Sequence, residues 1–440
     1  MRIDFRLTPR RSLLLFLLMV VGVALFYLFR QKPLPEASAE SIGMSTVRLA
    51  RIDTVLQQYV NRQKIPGAVA LVVRNGKIVY HKGFGYNTLE KNAPLSRNAI
   101  FRIASQSKAI VSAAVLILYE EGKFLLDDPI SNYIPAFRNP KVMDNLNLAD
   151  TTFTTVPARR EITIRDLLTH TSGIGYAQIG FNNAIAIYAK HGIPSGIGTP
   201  HYQLSEVMGK LATLPLMHQP GERFTYGLNT DVLGYLIEVV TGKPLDEFLR
   251  ERVFDPLGME DTQFYLSPDK APRLATLFAE YEEGETSVAQ NWKDYYPDFP
   301  LEKGTYFSGG AGLTATAYDY AVFLQTILNG GEFNGNRILA PATVRLMTTN
   351  QIGEINLTNK KFGLGFAIAT EKEAAKGPVS VGTLDWSGIY GTTYWADPQE
   401  RLIGILMIQK YPASYGDLGE KFKVLVYQAI TQTNEKEESL

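Results

Sequence analysis

Two hairpin signatures sit near opposite ends of the chain, and together they constrain the fold more than any other feature. Ala68-Val69-Ala70-Leu71-Val72-Val73 and Ile78-Val79-Tyr80 flank Asn75-Gly76, a dipeptide that favours a tight turn between antiparallel strands. Far downstream, Tyr394-Trp395 and Leu402 to Ile408 surround Asp397-Pro398, a second hairpin. Strand signals at both ends of a helical middle predict that the terminal segments share one antiparallel sheet.

The segments between carry helical signals. From Ser45 to Gln63, Ile52, Val55, Leu56 and Tyr59 recur at helical spacing, with Pro66 just beyond the end. Residues Ser105 to Glu121 open Ser-Gln-Ser-Lys and run almost wholly apolar from Ala109 to Tyr119 before Gly122, which suits a left-handed cap. A helix apolar all round is buried. From about 123 to 300, helical patches such as Ile164 to Leu168 and Val232 to Thr241 are broken by Gly and Pro, which predicts a mostly helical insertion. A further helix is expected over Ala317 to Leu328, and Asp417 is placed to cap a closing helix to Ile430. The charged tail from Asn434 (433–440 as a segment) is expected to be disordered.

Composition removes several classes of function. The 440 residues carry 44 Lys plus Arg and 44 Asp plus Glu, a zero balance that argues against a nucleic-acid binder. There is no cysteine, so disulfides, thiolate metal sites and a cysteine nucleophile are excluded. Leu13 to Phe29 is a continuous apolar or Gly run preceded by Arg2, Arg6, Arg10 and Arg11. That pattern predicts a membrane anchor or signal segment within residues 1–40, linker included, with the rest of the chain facing the periplasm or exterior. Ala37-Ser38-Ala39 offers a cleavage sequence for the secreted alternative. Residues 41–432 then form the working domain.

Common active-site motifs are missing: Gly-x-Ser-x-Gly, the P-loop, His-Glu-x-x-His, and Gly-x-Gly-x-x-Gly after a strand. The five histidines, His81, His170, His191, His201 and His218, lack ligand spacing, so no metal site is expected. What remains is Ser105-Gln106-Ser107-Lys108 at the start of the buried helix. Residues three apart share a helix face, so Lys108 can reach Ser105, and burial would lower the lysine pKa enough for it to act as a base. The helix N-terminus and the Ser105 amide would help hold an oxyanion. The spacing recurs at Ser267-Pro268-Asp269-Lys270, but Ala271-Pro272 follows, so that copy is expected to be a loop.

Phe101-Arg-Ile-Ala-Ser-Gln-Ser-Lys108, Leu125-Leu-Asp-Asp-Pro-Ile130, Ile164-Arg-Asp-Leu-Leu-Thr-His-Thr-Ser-Gly-Ile174 and Ser308-Gly-Gly-Ala-Gly-Leu313 together resemble the serine hydrolases of the β-lactamase and penicillin-binding-protein superfamily. The resemblance spans roughly residues 45 to 430 and is nearest to the class C-like branch that includes family VIII carboxylesterases. It implies an α+β, β-lactamase/transpeptidase-like fold: an antiparallel sheet flanked by helices, with a mostly helical second subdomain. It also implies a tyrosine acting with the lysine, matched by Tyr226, where the usual Tyr-x-Asn is replaced by Tyr226-Gly227-Leu228 and the Asn is displaced to Asn229. The third motif, typically Lys-Thr-Gly, is matched by Trp386-Ser387-Gly388-Ile389, which makes the Ile389 amide the second oxyanion donor. Trp386, Ser387, Gly388 and Asn229 are thus expected at the substrate pocket. His170, Gly309, Gly310 and Gly312 are expected to be structural.

An indole where the superfamily carries a cation disfavours substrates with a carboxylate, and Asp385 adds negative charge nearby. The expected function is hydrolysis of carboxylic esters through an acyl-enzyme on Ser105, without metal or cofactor. The alternatives are a β-lactamase or D-amino-acid peptidase, and a non-catalytic, membrane-anchored ligand-binding member.

Overall fold

A computed structural model describes residues 33–433 apart from 179, 181, 283, 284, 293, 294, 356, 413 and 414. The apolar run Leu13 to Phe29 and the tail from Asn434 lie outside the described residues. Among the described residues no helix is long and apolar enough to cross a membrane.

Seven strands form the central sheet: β1 (Gly67–Arg74), β2 (Lys77–Gly85), β3 (Lys360–Phe362), β4 (Ala367–Ala369), β5 (Leu384–Ser387), β6 (Thr393–Asp397) and β7 (Leu402–Met407). Their spatial order is β3-β4-β5-β6-β7-β1-β2, every neighbour antiparallel. β1 pairs with β7 from Val69 opposite Met407 to Arg74 opposite Leu402, so the two ends of the chain do share one sheet. The β1–β2 turn carries Asn75 at φ 51° and Gly76 at φ 71°, the left-handed pair that a two-residue hairpin needs.

β1 is an unbroken apolar run because both of its faces are covered. Val69, Leu71 and Val73 point into the main core, whereas Ala68, Ala70 and Val72 join a second core. The second core is closed by α1 (Thr46–Asn61), through Leu49, Ile52, Leu56 and Val60, and by α5 (Leu418–Tyr427). The main core holds α2 (Ser107–Glu120), α3 (Asn229–Thr241) and α4 (Ala317–Leu328). Ser45 caps α1 by accepting from the Arg48 amide at 3.3 Å. Gly122 at φ 69° follows α2 in the left-handed conformation.

Three expectations need correction. The insertion is less purely helical than expected: Lys141–Leu146 pairs with Phe153–Pro157, and Phe278–Glu282 with Glu285–Val288. The Phe-Thr-Thr-Val run at 153–156 is β-branched and aromatic, which favours a strand. Asp417 does not cap α5, because its backbone is already helical and its carboxylate accepts from the Tyr59 hydroxyl and pairs with Lys421, both at 2.5 Å. Finally, the supposed linker is partly domain. The Ala37 amide donates to the Ile78 carbonyl at 2.9 Å and Ile78 returns a bond to Pro35 at 2.8 Å. Leu34, only 4 % exposed, donates its amide to the Tyr318 hydroxyl, and Ala39 is buried in the turn Ala39–Ile42. Residues 33–40 are therefore built into the fold beside β2.

Candidate active site

A two-strand clasp positions the nucleophile candidate. Phe101–Arg102 pairs antiparallel with Thr314–Ala315, the Ile103 amide donates to Leu313, and the Ser107 hydroxyl accepts from the Leu313 amide at 3.1 Å. This brings the glycine-rich run 308–312 against the start of α2. Ser105 lies in the single 3-10 turn Ala104–Gln106 that leads into α2, just ahead of the α-helix itself. Ala104 has φ 44°, a conformation that costs a residue with a Cβ about 1 kcal/mol or more. The turn is therefore held in place by its surroundings, and Ser105 is left half-buried beside buried neighbours.

Lys108, 2 % exposed, approaches Ser105 as the spacing required. Its Nζ lies 3.4 Å from Ser105 Oγ and donates to the Gly310 carbonyl at 2.7 Å. The ammonium also sits 4.6 Å from the Tyr226 ring centroid and 5.6 Å from that of Tyr176. The protonation state differs from the expectation. Burial pulls the lysine down, but interaction with Tyr176 and Tyr226 outweighs it and holds the group above its ordinary value. Lys108 is an ammonium here, a donor to Ser105 Oγ rather than a ready base.

Tyr226 is fixed from below by the Thr-His-Thr-Ser-Gly stretch. The Thr225 amide donates to the His170 carbonyl at 2.7 Å and the Leu228 amide to Gly175 at 3.2 Å. Gly227 lies so close to the Ile174 carbonyl that a Cβ would overlap it, which explains a glycine after the tyrosine. The ring of His170 lies 5.0 Å from that of Tyr226. Burial first, then the Lys108 charge, pushes the imidazole well below its ordinary value, so it is neutral. His170 thus packs against Tyr226 and bonds to the Asn229 amide.

Asn229 requires correction as a pocket residue. It is fully buried: its amide nitrogen bonds to His170 Nδ1 at 3.0 Å and to the Ile174 and Thr225 carbonyls, and its oxygen accepts from Ser172 at 2.5 Å. The donors and acceptor of the amide are thus engaged inside the protein.

Trp386 does reach the site. Its indole Nε1 donates to the Tyr226 hydroxyl at 3.1 Å, and the rings lie 5.4 Å apart. Phe362 packs on both His170 and Trp386. The phenol oxygen of Tyr226 thus accepts an indole N–H, and the Lys108 ammonium lies over the same ring. Asp385, next to Trp386, is paired with Lys360, which cancels the negative charge expected there. Ser387 is exposed at the end of β5. Gly388 packs so tightly on the Ile103 carbonyl that a Cβ would not fit, and Ile389 packs in the small cluster that contains Ala104. Strand β5 and the serine turn thus touch at Gly388, with Ile389 in the following turn.

Sequence reasoning missed two residues. Tyr176, just past the Thr-Ser-Gly stretch, is buried with its ring 5.6 Å from that of Tyr226. Asp231, five residues after Tyr226, is wholly buried behind Gly310 and accepts from Ser308 Oγ at 2.7 Å. An acidic residue directly before the apolar run Val232-Leu233 was the available signal. The second Ser-x-x-Lys copy is a loop: Lys270 donates its amide to the Ser267 carbonyl, and its ammonium pairs with Asp261 at 3.4 Å.

A serine, an ammonium and a tyrosine converging at the start of a buried helix, on this fold, define a member of the serine hydrolase superfamily. The chain belongs to the beta-lactamase family, whose model matches residues 52–427. Esterase EstB of Burkholderia gladioli is 30% identical over 398 residues, which cover 87% of this chain and 94% of that protein. A protein of Escherichia coli described as a putative D-alanyl-D-alanine carboxypeptidase is 28% identical over 414 residues, 87% of this chain and 86% of that one. The solved structure of EstCE1, a hydrolase with promiscuous acyltransferase activity, superposes with a TM-score of 0.76 at 30% identity, covering 87% of this chain and 99% of that chain.

Proposed function

We propose that this protein hydrolyses neutral carboxylic esters through an acyl-enzyme on Ser105. The observation that carries this reading is the Trp386 Nε1 bond to the Tyr226 hydroxyl. It puts a neutral indole at the place where recognition of a substrate carboxylate would call for a cation. Lys360, a cation in the neighbourhood, is engaged by Asp385, and the esterase EstB is among the relatives.

In the proposed cycle Lys108 stays protonated and polarises Ser105 Oγ, while Tyr226 takes the serine proton and returns it to the leaving alcohol. Trp386 steadies the charge that develops on the tyrosine oxygen during that transfer. The Ser105 and Ile389 amides hold the oxyanion, and water then releases the acid. Ser387 and Gly388 border the acyl group. The N-terminal segment, by its arginines and apolar run, anchors the domain on the outer side of the membrane.

The test is release of p-nitrophenol from short-chain esters, with nitrocefin and a peptide ending in D-Ala-D-Ala alongside. Ester turnover that vanishes in Ser105→Ala, with little turnover of the other two, is expected. Preferred cleavage of the lactam or the peptide would overturn the ester reading while leaving the nucleophile standing.

A further inference from the structure

Asp231 has no part in the cycle above, yet a fully buried acidic side chain needs a reason. Gly310 stands between it and the lysine. The Gly310 carbonyl accepts from Lys108 Nζ at 2.7 Å, and a Cβ on Gly310 would run into Asp231 Oδ2, with the Tyr176 hydroxyl 3.4 Å from the same point. A side chain larger than hydrogen at Gly310 would therefore separate the two charges. On the far side, Asp231 Oδ1 accepts from Ser308 Oγ at 2.7 Å and from the Tyr306 hydroxyl at 3.4 Å. Asp231 Oδ2 lies on the Gly310 side, where the Gly310 amide also pulls the carboxyl down. Gly310 thus faces Asp231 with its amide and Lys108 with its carbonyl.

We propose that Asp231, acting across Gly310, is the counter-charge of Lys108, a positioning residue that adds to the two tyrosines in keeping the lysine charged and aimed at Ser105 so that proton transfer falls to Tyr226. The inference rests on the functional reading above for its consequence in catalysis, and on the Gly310 link between the two side chains for the pairing. The titratable groups facing Asp231 are Lys108 from α2, Tyr176 from the loop after the Thr-Ser-Gly stretch and Tyr306 from the loop before the glycine run. Both tyrosines are pushed up by burial and stay neutral, so Lys108 is the one cation among these three. Burial also pushes Asp231 up, to about 6, against the pull of Ser308 and the lysine charge. The carboxylate is therefore charged at neutral pH and loses its charge on mild acidification.

Charge held in this place should cost stability. Because the folded value lies above the ordinary 3.8, the unfolded chain gives up its proton first as pH rises. Stability falls between about pH 4 and pH 6 and is level above that. An asparagine removes this loss.

The experiment compares the parent with Asp231→Asn and Asp231→Glu. In Asp231→Asn, ester kcat/KM at pH 7.5 should fall about tenfold or more, the acid limb near pH 6 should disappear, and the basic limb should move down by about one unit. Asp231→Glu should restore both limbs. The variant-minus-parent difference in Tm should rise from pH 4 to pH 6 and then level. A uniformly lower profile of unchanged shape, with Tm reduced alike at every pH, would mean a merely structural aspartate and overturn the proposal. A readout independent of activity is the NMR titration of Lys108, labelled at Cε and assigned with Lys108→Ala. Its midpoint should drop in Asp231→Asn, and identical titration in the two proteins breaks the pairing even if esterase activity is found. If Ser105→Ala keeps full activity, the functional reading fails instead, and the NMR and Tm results still decide the pairing.

Discussion

The chain contains the same four-residue spacing twice, and only one copy is built into a site. Ser105 and Lys108 lie at the mouth of a helix buried on all sides, with Lys108 between a carbonyl and two tyrosine rings. Ser267 and Lys270 occupy a surface turn, where the lysine meets the Glu260 carbonyl and the Asp261 carboxylate. The spacing is identical, so it cannot be what sets the first pair apart. What differs is the environment: Lys108 is buried among phenols and a peptide carbonyl beside its serine, whereas Lys270 is engaged by Glu260 and Asp261 at the surface.

The contrast breaks most sharply on deletion of the serine. Ser105→Ala should lower ester turnover by about a thousandfold or more, while Ser267→Ala should change turnover less than twofold and stability within about 0.5 kcal/mol. Esterase assays and thermal unfolding on the two variants decide it. Next in size is the lysine pair. Lys108→Ala should cost about a hundredfold or more in kcat with the fold intact, and Lys270→Ala should leave kcat unchanged while relieving Asp261 of one of its two cations, Arg273 being the other. Substantial residual turnover in Lys108→Ala would remove the lysine from the mechanism.

A smaller effect sharpens what the neighbours contribute. Trp386→Phe keeps an aromatic wall but deletes the N–H that bonds Tyr226. One hydrogen bond of ordinary net worth, about 1 kcal/mol, corresponds to a drop of about fivefold in kcat. An unchanged kcat with altered KM would instead make Trp386 a substrate wall only.

The fold and the contact of Lys108 with Ser105 were legible because they depend on local pattern. Asn75-Gly76 fixes a turn, and the apolar run after Lys108 fixes a buried helix. The long-range pairing of β1 with β7 followed from where the strand signals fell. Asn229 was misplaced because a sequence shows that an amide is near a tyrosine but not that His170, Ser172 and Ile174 already engage it. The lysine charge was misjudged for a related reason: burial alone lowers an ammonium, and only the structure reveals the partners that reverse the sign. Asp231 escaped notice because its relation to Lys108 passes through Gly310, far away in the chain.

The segment Pro35 to Ala37 exchanges backbone hydrogen bonds with Ile78 at the outer strand of the sheet. A protein trimmed to begin at residue 41 would lose those partners and expose the N–H and C=O of Ile78 at that edge to other molecules. Such a shortened protein should self-associate by adding strands edge to edge, with a lower Tm and a larger size in solution than one beginning at residue 33.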